Sequence, residues 1–355
     1  MVYNFNSGPS ILPGEVFEEA SKAILNFENS GLSILEIGHR TPLFQAVMDE
    51  AIALVKELMA LDAGHEVLFL HGGASTQFFQ IPMNLLNENE TAAYLDCGTW
   101  GTKAIKEARL FGQVAVVGSS KDKNYTYIPK GYPIPAGAKY FHYTTNNTIE
   151  GTQIRSIPET TIPLVADMSS DILSHTLDFN RFALIYAGAQ KNIGAAGVNL
   201  VIVKKDFLGT VDRKIPSMLD YRQHIEAGSM LNTPPVFAVY VCMLTLRWLK
   251  KAGGIAALEK INNEKAALMY KTLDELPVFR PTVVPEDRSL MNAVFVIDDP
   301  ALEKEFLAAC KEHGMVGVKG HRSVGGFRAS MYNALPLSSV KALTDLMSDF
   351  ANKKG

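Results

Sequence analysis

Apolar runs of strand length recur along this chain, and most give way at the carboxyl end to a loop of small or polar residues. Residues 182–186 lead into Ala187-Gly188-Ala189-Gln190-Lys191-Asn192, and 198–203 form the next run. Residues 162–166 end at Asp167, 66–70 at His71-Gly72-Gly73-Ala74-Ser75, 91–95 at Asp96-Cys97-Gly98-Thr99-Trp100, and 139–144 at Thr145-Asn146-Asn147-Thr148. Residues 113–118 form a further run. Stretches with helical spacing stand among them, at 14–29, from Thr41-Pro42 to 61, one opened by residues 71–77 and running to about 86, and at 236–249. This pattern predicts an α/β fold, and open α/β sheets bind ligands beyond the carboxyl ends of their strands.

Two ionisable residues stand at such ends. Lys191 lies in a small-residue loop between two core runs, where an amine needs a partner or a covalent use. A carbonyl cofactor supplies the second, because lysine forms Schiff bases, as with pyridoxal phosphate. A solvated lysine on a strand-connecting turn is the plainer alternative. Asp167 ends the strand before. Pyridoxal phosphate works as an electron sink while its pyridine nitrogen stays protonated, and a carboxylate beside that nitrogen favours the charged form. A helix N-cap, with Ser169 and Ser170 following, is the other use open to Asp167.

The segments Ala166-Asp167-Met168-Ser169-Ser170 and Ala187-Gly188-Ala189-Gln190-Lys191-Asn192-Ile193-Gly194 resemble those of the phosphoserine aminotransferases, pyridoxal phosphate enzymes of fold type I. The resemblance extends from Asn6-Ser7-Gly8-Pro9 to Phe327-Arg328-Ala329-Ser330-Met331-Tyr332-Asn333. It implies a large domain of residues 14–252 around a mostly parallel central sheet. Residues 1–13 and 253–355 would make a smaller α+β domain. Lys191 would carry pyridoxal 5'-phosphate and act as general base, with Asp167 on the pyridinium, Trp100 on the ring face and Thr148 on the phenolic oxygen. Ala74, Ser75 and Gln190 would hold the phosphate, joined by Asn232 and Thr233 from the second subunit of a homodimer with shared active sites. Ser7 and Arg328 would bind the substrate α-carboxylate, and His39, Arg40, His321 and Arg322 its distal anion. The implied reaction moves an amino group between L-glutamate and 3-phosphohydroxypyruvate, giving 2-oxoglutarate and phosphoserine. A related phosphorylated 2-oxo acid of vitamin B6 synthesis is implied as a second substrate. Some family members carry arginine where Ser75 stands, and many read Cys-Pro-Asn-Glu-Thr where this chain has Thr144-Thr145-Asn146-Asn147-Thr148.

The residues also have readings of their own. Glycines at 72 and 73 allow close backbone approach, and the free N–H groups of a helix start attract phosphate. Trp100, beside a glycine turn, can stack on a flat ring or fill the core. Arg322 and Arg328 flank Gly325 and Gly326, and clustered arginines suit bidentate recognition of carboxylate or phosphate.

Composition narrows the alternatives. A chain of 355 residues exceeds one typical core, and 47% hydrophobic with 20% charged residues is a globular balance. A formal net charge of −3 without a long basic block gives no sign of nucleic acid or an anionic membrane as partner. Cys97, Cys242 and Cys310 are widely spaced among apolar residues and read as reduced core thiols, with no metal-ligand spacing. No basic-then-apolar leader is evident, and the run at 236–249 is short and carries Arg247, so a cytoplasmic protein is expected.

Rival readings lack a needed part. Among pyridoxal phosphate enzymes the nearest rival is a cysteine desulfurase or kynureninase-like activity on the same fold, and another class V enzyme, such as a serine-pyruvate or alanine-glyoxylate aminotransferase, is the alternative function. A cysteine desulfurase needs a cysteine in a mobile polar loop. A nucleotide-binding module using His71-Gly72-Gly73 lacks both the dinucleotide glycine pattern and a Walker lysine. A noncatalytic scaffold has no use for Lys191 and Asp167 at strand ends.

Overall fold

A seven-stranded sheet carries the predicted runs in the spatial order His65–Leu70, Asn199–Lys204, Phe182–Gly188, Leu164–Asp167, Phe141–Thr144, Thr91–Asp96 and Gln113–Ser119. This computed structural model describes residues 2–354. Asn199–Lys204 runs antiparallel to both its neighbours, and the remaining pairs are parallel. Every residue of Leu164–Asp167 and Phe182–Gly188 is buried. Both faces of a parallel sheet are covered by helices, so these strands read as unbroken apolar runs.

One face, with Phe69, Ala93, Leu95, Ala166 and Ile185, packs beneath Pro42–Leu58 and Val236–Lys251. The other, with Leu70, Tyr94, Val165, Leu184 and Tyr186, packs against Gly73–Leu85 and Thr99–Ala108. Each of these last two helices starts just beyond a strand's carboxyl end, so its unpaired N–H groups open toward the same sheet edge.

A second core forms around the antiparallel sheet Arg280–Pro281, Asn292–Val296 and Phe327–Ser330. Phe279, Phe295, Phe306, Phe327 and Phe350 make its aromatic centre, under the helices Pro300–Glu312 and Leu337–Lys354. The amino-terminal arm joins this core, with Tyr3–Asn4 pairing in parallel with Met315–Val316 and Phe5 fully buried. Gly254–Glu275 contributes Ile255 to the first core and Met269 and Leu273 to the second.

Several element ends differ from the sequence reading. The helix expected at 14–29 stops at Leu25, and a 3-10 turn at Phe27–Asn29 follows, in which Glu28 and Asn29 have positive φ. Asn26 breaks it by accepting the Gly31 N–H on its side chain. The helix expected to reach 61 ends at Leu58, and Ala60 follows at φ 48°. Thr41 stands at its N-cap position, but the hydroxyl donates to the Gly38 carbonyl, so Pro42 at the first helical position is what sets the start. Near the carboxyl end the strand Met315–Val316 is short, since Gly317, at φ 80°, turns the chain.

Candidate active site

Five strands deliver their carboxyl ends to one cavity of ≈ 410 Å³. Its walls include Ser7, Gly8, Gly72, Ala74, Ser75, Trp100, Thr148, Asp167, Gln190, Lys191, His321 and Arg328. The parallel pairing explains the convergence, because neighbouring strands that run the same way end at the same edge.

Lys191 follows Phe182–Gly188, and its Nζ donates to Thr148 Oγ1 at 2.7 Å. Burial pushes this amine down to about 8; the Asp167 carboxylate pulls it back up, and the Arg328 cation lowers it further. Its loop is pinned from the amino-terminal arm, where the Ser10 hydroxyl donates to the Lys191 carbonyl at 2.5 Å. Asp167 is the last residue of its strand and accepts the Ser169 N–H at 2.9 Å. No helix follows Asp167, so it caps a turn and not a helix, and it lines the cavity. Burial raises the Asp167 carboxyl, against the lowering pull of Ser169, Lys191 and Tyr186.

At the opposite wall, Gly72 takes φ 90° before the helix Gly73–Leu85. A Cβ on Gly72 would lie 2.0 Å from Thr76 Oγ1, so the turn admits only glycine. Trp100 lies in the first turn of Thr99–Ala108, partly exposed on the cavity, with Lys103 Nζ 4.4 Å from its ring centre. The Thr99 N–H and hydroxyl both donate to Glu150 Oε1, at 2.8 and 2.6 Å, tying the Trp100 helix to the turn that bears Thr148. From the second core, Arg328 Nη2 donates to Ser7 Oγ at 2.6 Å and Nη1 to the Thr148 carbonyl at 3.2 Å. Arg328 Nε is buried without a partner. The His321 imidazole is lowered by burial and by the Arg328 and Arg322 cations beside it.

A model of the "Aminotransferase class-V" family matches residues 2–343. A phosphoserine aminotransferase of Flavobacterium johnsoniae is 60% identical over 352 residues, covering 99% of each chain. Among solved structures, the phosphoserine aminotransferase of Bacillus circulans subsp. alkalophilus superposes with a TM-score of 0.97 at 44% identity, over 100% of this chain and 99% of that one. The PLP-bound phosphoserine aminotransferase of Trichomonas vaginalis gives 0.93 at 36% identity, over 98% of this chain and 100% of that one. The chain belongs to the phosphoserine aminotransferase family of class V aminotransferases.

In this family member the cavity gathers Ser7, Ala74, Ser75, Trp100, Thr148, Asp167, Gln190, Lys191, His321 and Arg328 from the residues singled out by sequence. It does not gather His39, Arg40, Asn232, Thr233 or Arg322. His39 is half-buried with Nε2 unpartnered, and Arg40 is exposed. The Thr233 carbonyl lies 2.9 Å from His71 Nε2, beside the glycine turn, and Arg322 is exposed next to His321. Sequence reasoning passed over Ser10, Glu150, Ser169 and Tyr332. Ser169 Oγ accepts the Gly188 N–H at 3.2 Å, and the Tyr332 hydroxyl donates to the Ser7 carbonyl at 2.9 Å. Tyr332 and Ser169 stood inside matched segments, but Ser10 and Glu150 carried no local signal. The three cysteines are buried and free, with burial pushing each thiol up to about 12, so no reactive thiol serves the site. Among the described residues no helix is long and apolar enough to cross a membrane, and no cluster of His, Cys, Asp or Glu could hold a metal ion.

Proposed function

We propose that this aminotransferase moves an amino group reversibly between L-glutamate and 3-phosphohydroxypyruvate, giving 2-oxoglutarate and O-phospho-L-serine. The observation that carries the reading is Lys191 Nζ, held at 2.7 Å from Thr148 Oγ1 in the cavity that Asp167 and Arg328 also line. Pyridoxal 5'-phosphate fits this cavity. A volume of ≈ 410 Å³ suits a cofactor with a small substrate, and an amine, a carboxylate and a glycine-opened helix start match its aldehyde, ring nitrogen and phosphate. When bound, the cofactor supplies an electron sink for the charge that develops at the substrate's α-carbon.

The chain's own residues do the rest. An amine titrating near 8 has a substantial free-base fraction at neutral pH, so Lys191 Nζ can attack a carbonyl and later take the proton from the α-carbon. Thr148 Oγ1 keeps that nitrogen aimed. Asp167 holds the ring nitrogen protonated, and Trp100 covers a ring face and keeps water from it. Backbone N–H groups at Ala74 and Ser75, with Gln190, take the phosphate. Arg328, braced by Ser7 and Thr148, presents its guanidinium to the α-carboxylate, and the unpartnered Nε supports a ligand-binding task. His321, with Arg322, selects the distal phosphate. 4-Phosphohydroxy-L-threonine, which carries the same groups, is formed by the same geometry from its 2-oxo acid.

The remaining selected residues act across a homodimer. Phe17, Ile24, Leu25, Leu32, Leu35 and Leu43 are exposed apolar residues that would make one face against a second copy, and His39 and Arg40 lie between the last two along the chain. A second copy covering that face would bring its His39 and Arg40 to the distal anion and its Asn232 and Thr233 to the phosphate, so each site is shared. Within each copy, residues 14–252 form the cofactor-binding domain and residues 1–13 with 253–355 the smaller one. The two separate cores and the Tyr3–Met315 pairing support that division. The protein works in the cytoplasm. Purified enzyme should form glutamate from 2-oxoglutarate with phosphoserine as donor, and Lys191→Ala should abolish it. Equal use of alanine or serine would overturn the substrate assignment.

A further inference from the structure

Asp167 has a buried partner with no task in the reading above. In the parallel pairing of Leu164–Asp167 with Phe182–Gly188, Asp167 stands level with Tyr186. Residues level with each other on neighbouring strands point to the same sheet face. Tyr186 is fully buried on that face, and its side chain lowers the Asp167 carboxyl beside it. On its other side stands His142, with Nε2 2.9 Å from the Tyr186 oxygen. His142 is buried too, its ring stacked 4.7 Å from Tyr94 and 5.9 Å from Tyr186, and its Nδ1 has no partner.

The inventory of protons fixes the direction of this chain. An ionised carboxylate only accepts, so in a contact between the two the Tyr186 hydroxyl is the donor. The tyrosine oxygen then needs a donor, and the imidazole provides one from Nε2. Burial pushes His142 down to about 3, so it is neutral and carries a single ring proton. That proton therefore resides on Nε2, and the unpartnered Nδ1 keeps its lone pair. We propose that His142 and Tyr186 form a positioning relay that holds Asp167 ionised and aimed at the cofactor's ring nitrogen. This rests on the assignment of Asp167 to that nitrogen. A carboxylate withdrawn from water drifts toward its neutral acid, and a donor aimed at it opposes the drift. The other groups facing Asp167 are the Ser169 N–H and hydroxyl, the Lys191 ammonium, and the Asp171 carboxylate, which repels it. The relay adds a donor from the closed side of the site, away from substrate.

The test compares two ligands on each variant: pyridoxal 5'-phosphate and its analogue with carbon in place of the ring nitrogen. Dissociation constants are measured by reconstituting the cofactor-free full-length enzyme and following the bound chromophore. Tyr186→Phe should weaken pyridoxal phosphate on the order of tenfold, as loss of a hydrogen bond to a charged group does, and leave the analogue unchanged. His142→Leu should weaken it in the same selective way, and His142→Gln, which keeps an N–H donor, should restore part of the loss. Equal weakening of both ligands by Tyr186→Phe would make the tyrosine a packing residue and overturn the relay. Asp167→Asn separates the two layers of the argument. Selective loss there without selective loss in Tyr186→Phe refutes the relay alone, whereas no selectivity in Asp167→Asn refutes the Asp167 assignment and the relay with it.

Discussion

The amine of Lys191 offers the most direct quantitative test, because its environment pushes it in opposite directions through identified groups. With the amine titrating at about 8, about one molecule in eleven carries the free base at pH 7, whereas an ordinary lysine near 10.5 does so in about one in three thousand. Site and surface should therefore differ about 300-fold in nucleophilic fraction at neutral pH. Acetic anhydride, small and uncharged, reports that fraction when the cofactor-free enzyme is pulse-labelled over a pH series and the peptides are quantified by mass spectrometry. Labelling of Lys191 should rise about tenfold per pH unit and level off above about pH 8. The exposed Lys271 and Lys353 serve as surface references in the same digests. Two variants check the signs. Asp167→Asn removes a charge that raises the amine, so the inflection should move to lower pH, and Arg328→Leu removes one that lowers it, so the inflection should move up. A Lys191 inflection near 10.5, or shifts of the opposite sign, would refute the account of the site's electrostatics.

Three other outcomes follow from the packing. Lys265 is fully buried, and its Nζ donates to the carbonyls of Met331, Tyr332 and Leu335 at 2.8 to 3.1 Å, so Lys265→Met strands three acceptors and should cost on the order of 3 kcal/mol in urea unfolding; unchanged stability would show that the turn finds other donors. Gly72→Ala should weaken cofactor binding at least tenfold while the fold persists, because the added methyl meets Thr76 Oγ1 in a left-handed turn, and unaltered affinity in a reconstitution titration would contradict that geometry. Leu35, 64% exposed, belongs to the apolar face assigned to the second copy, so Leu35→Glu should shift the sedimenting species toward monomer and lower activity with it, and an unchanged species would place the interface elsewhere.

Much of the site was legible in the sequence because the chemistry stands where strands end. Asp167, Lys191, Thr148 and the Gly72–Gly73 turn each follow an apolar run, and a run's end can be read without knowing its neighbours. Its failures have a common physical form. Ser10 reaches Lys191 across 181 residues of chain, Glu150 reaches back to Thr99, and Lys265 caps a turn that begins 66 residues later. None of these contacts has a local spacing, so each waits for the fold. Helix ends were misjudged for the opposite reason, since Asn26 and Ala60 act within a few residues, through a side-chain bond and a left-handed φ that apolar periodicity does not register. Tyr186 and His142 fall between the two cases. Both were read as strand residues, and the sequence placed each on the correct strand, but nothing in either strand says which residue of its neighbour it stands beside. Sheet register supplies that step: once Leu164–Asp167 lies level with Phe182–Gly188, a tyrosine two residues before Gly188 has to stand beside the carboxylate that ends the adjacent strand. A strand-end acid in a parallel sheet is thus held by residues one strand over and just inside the edge, and that is where a search for what tunes it should begin.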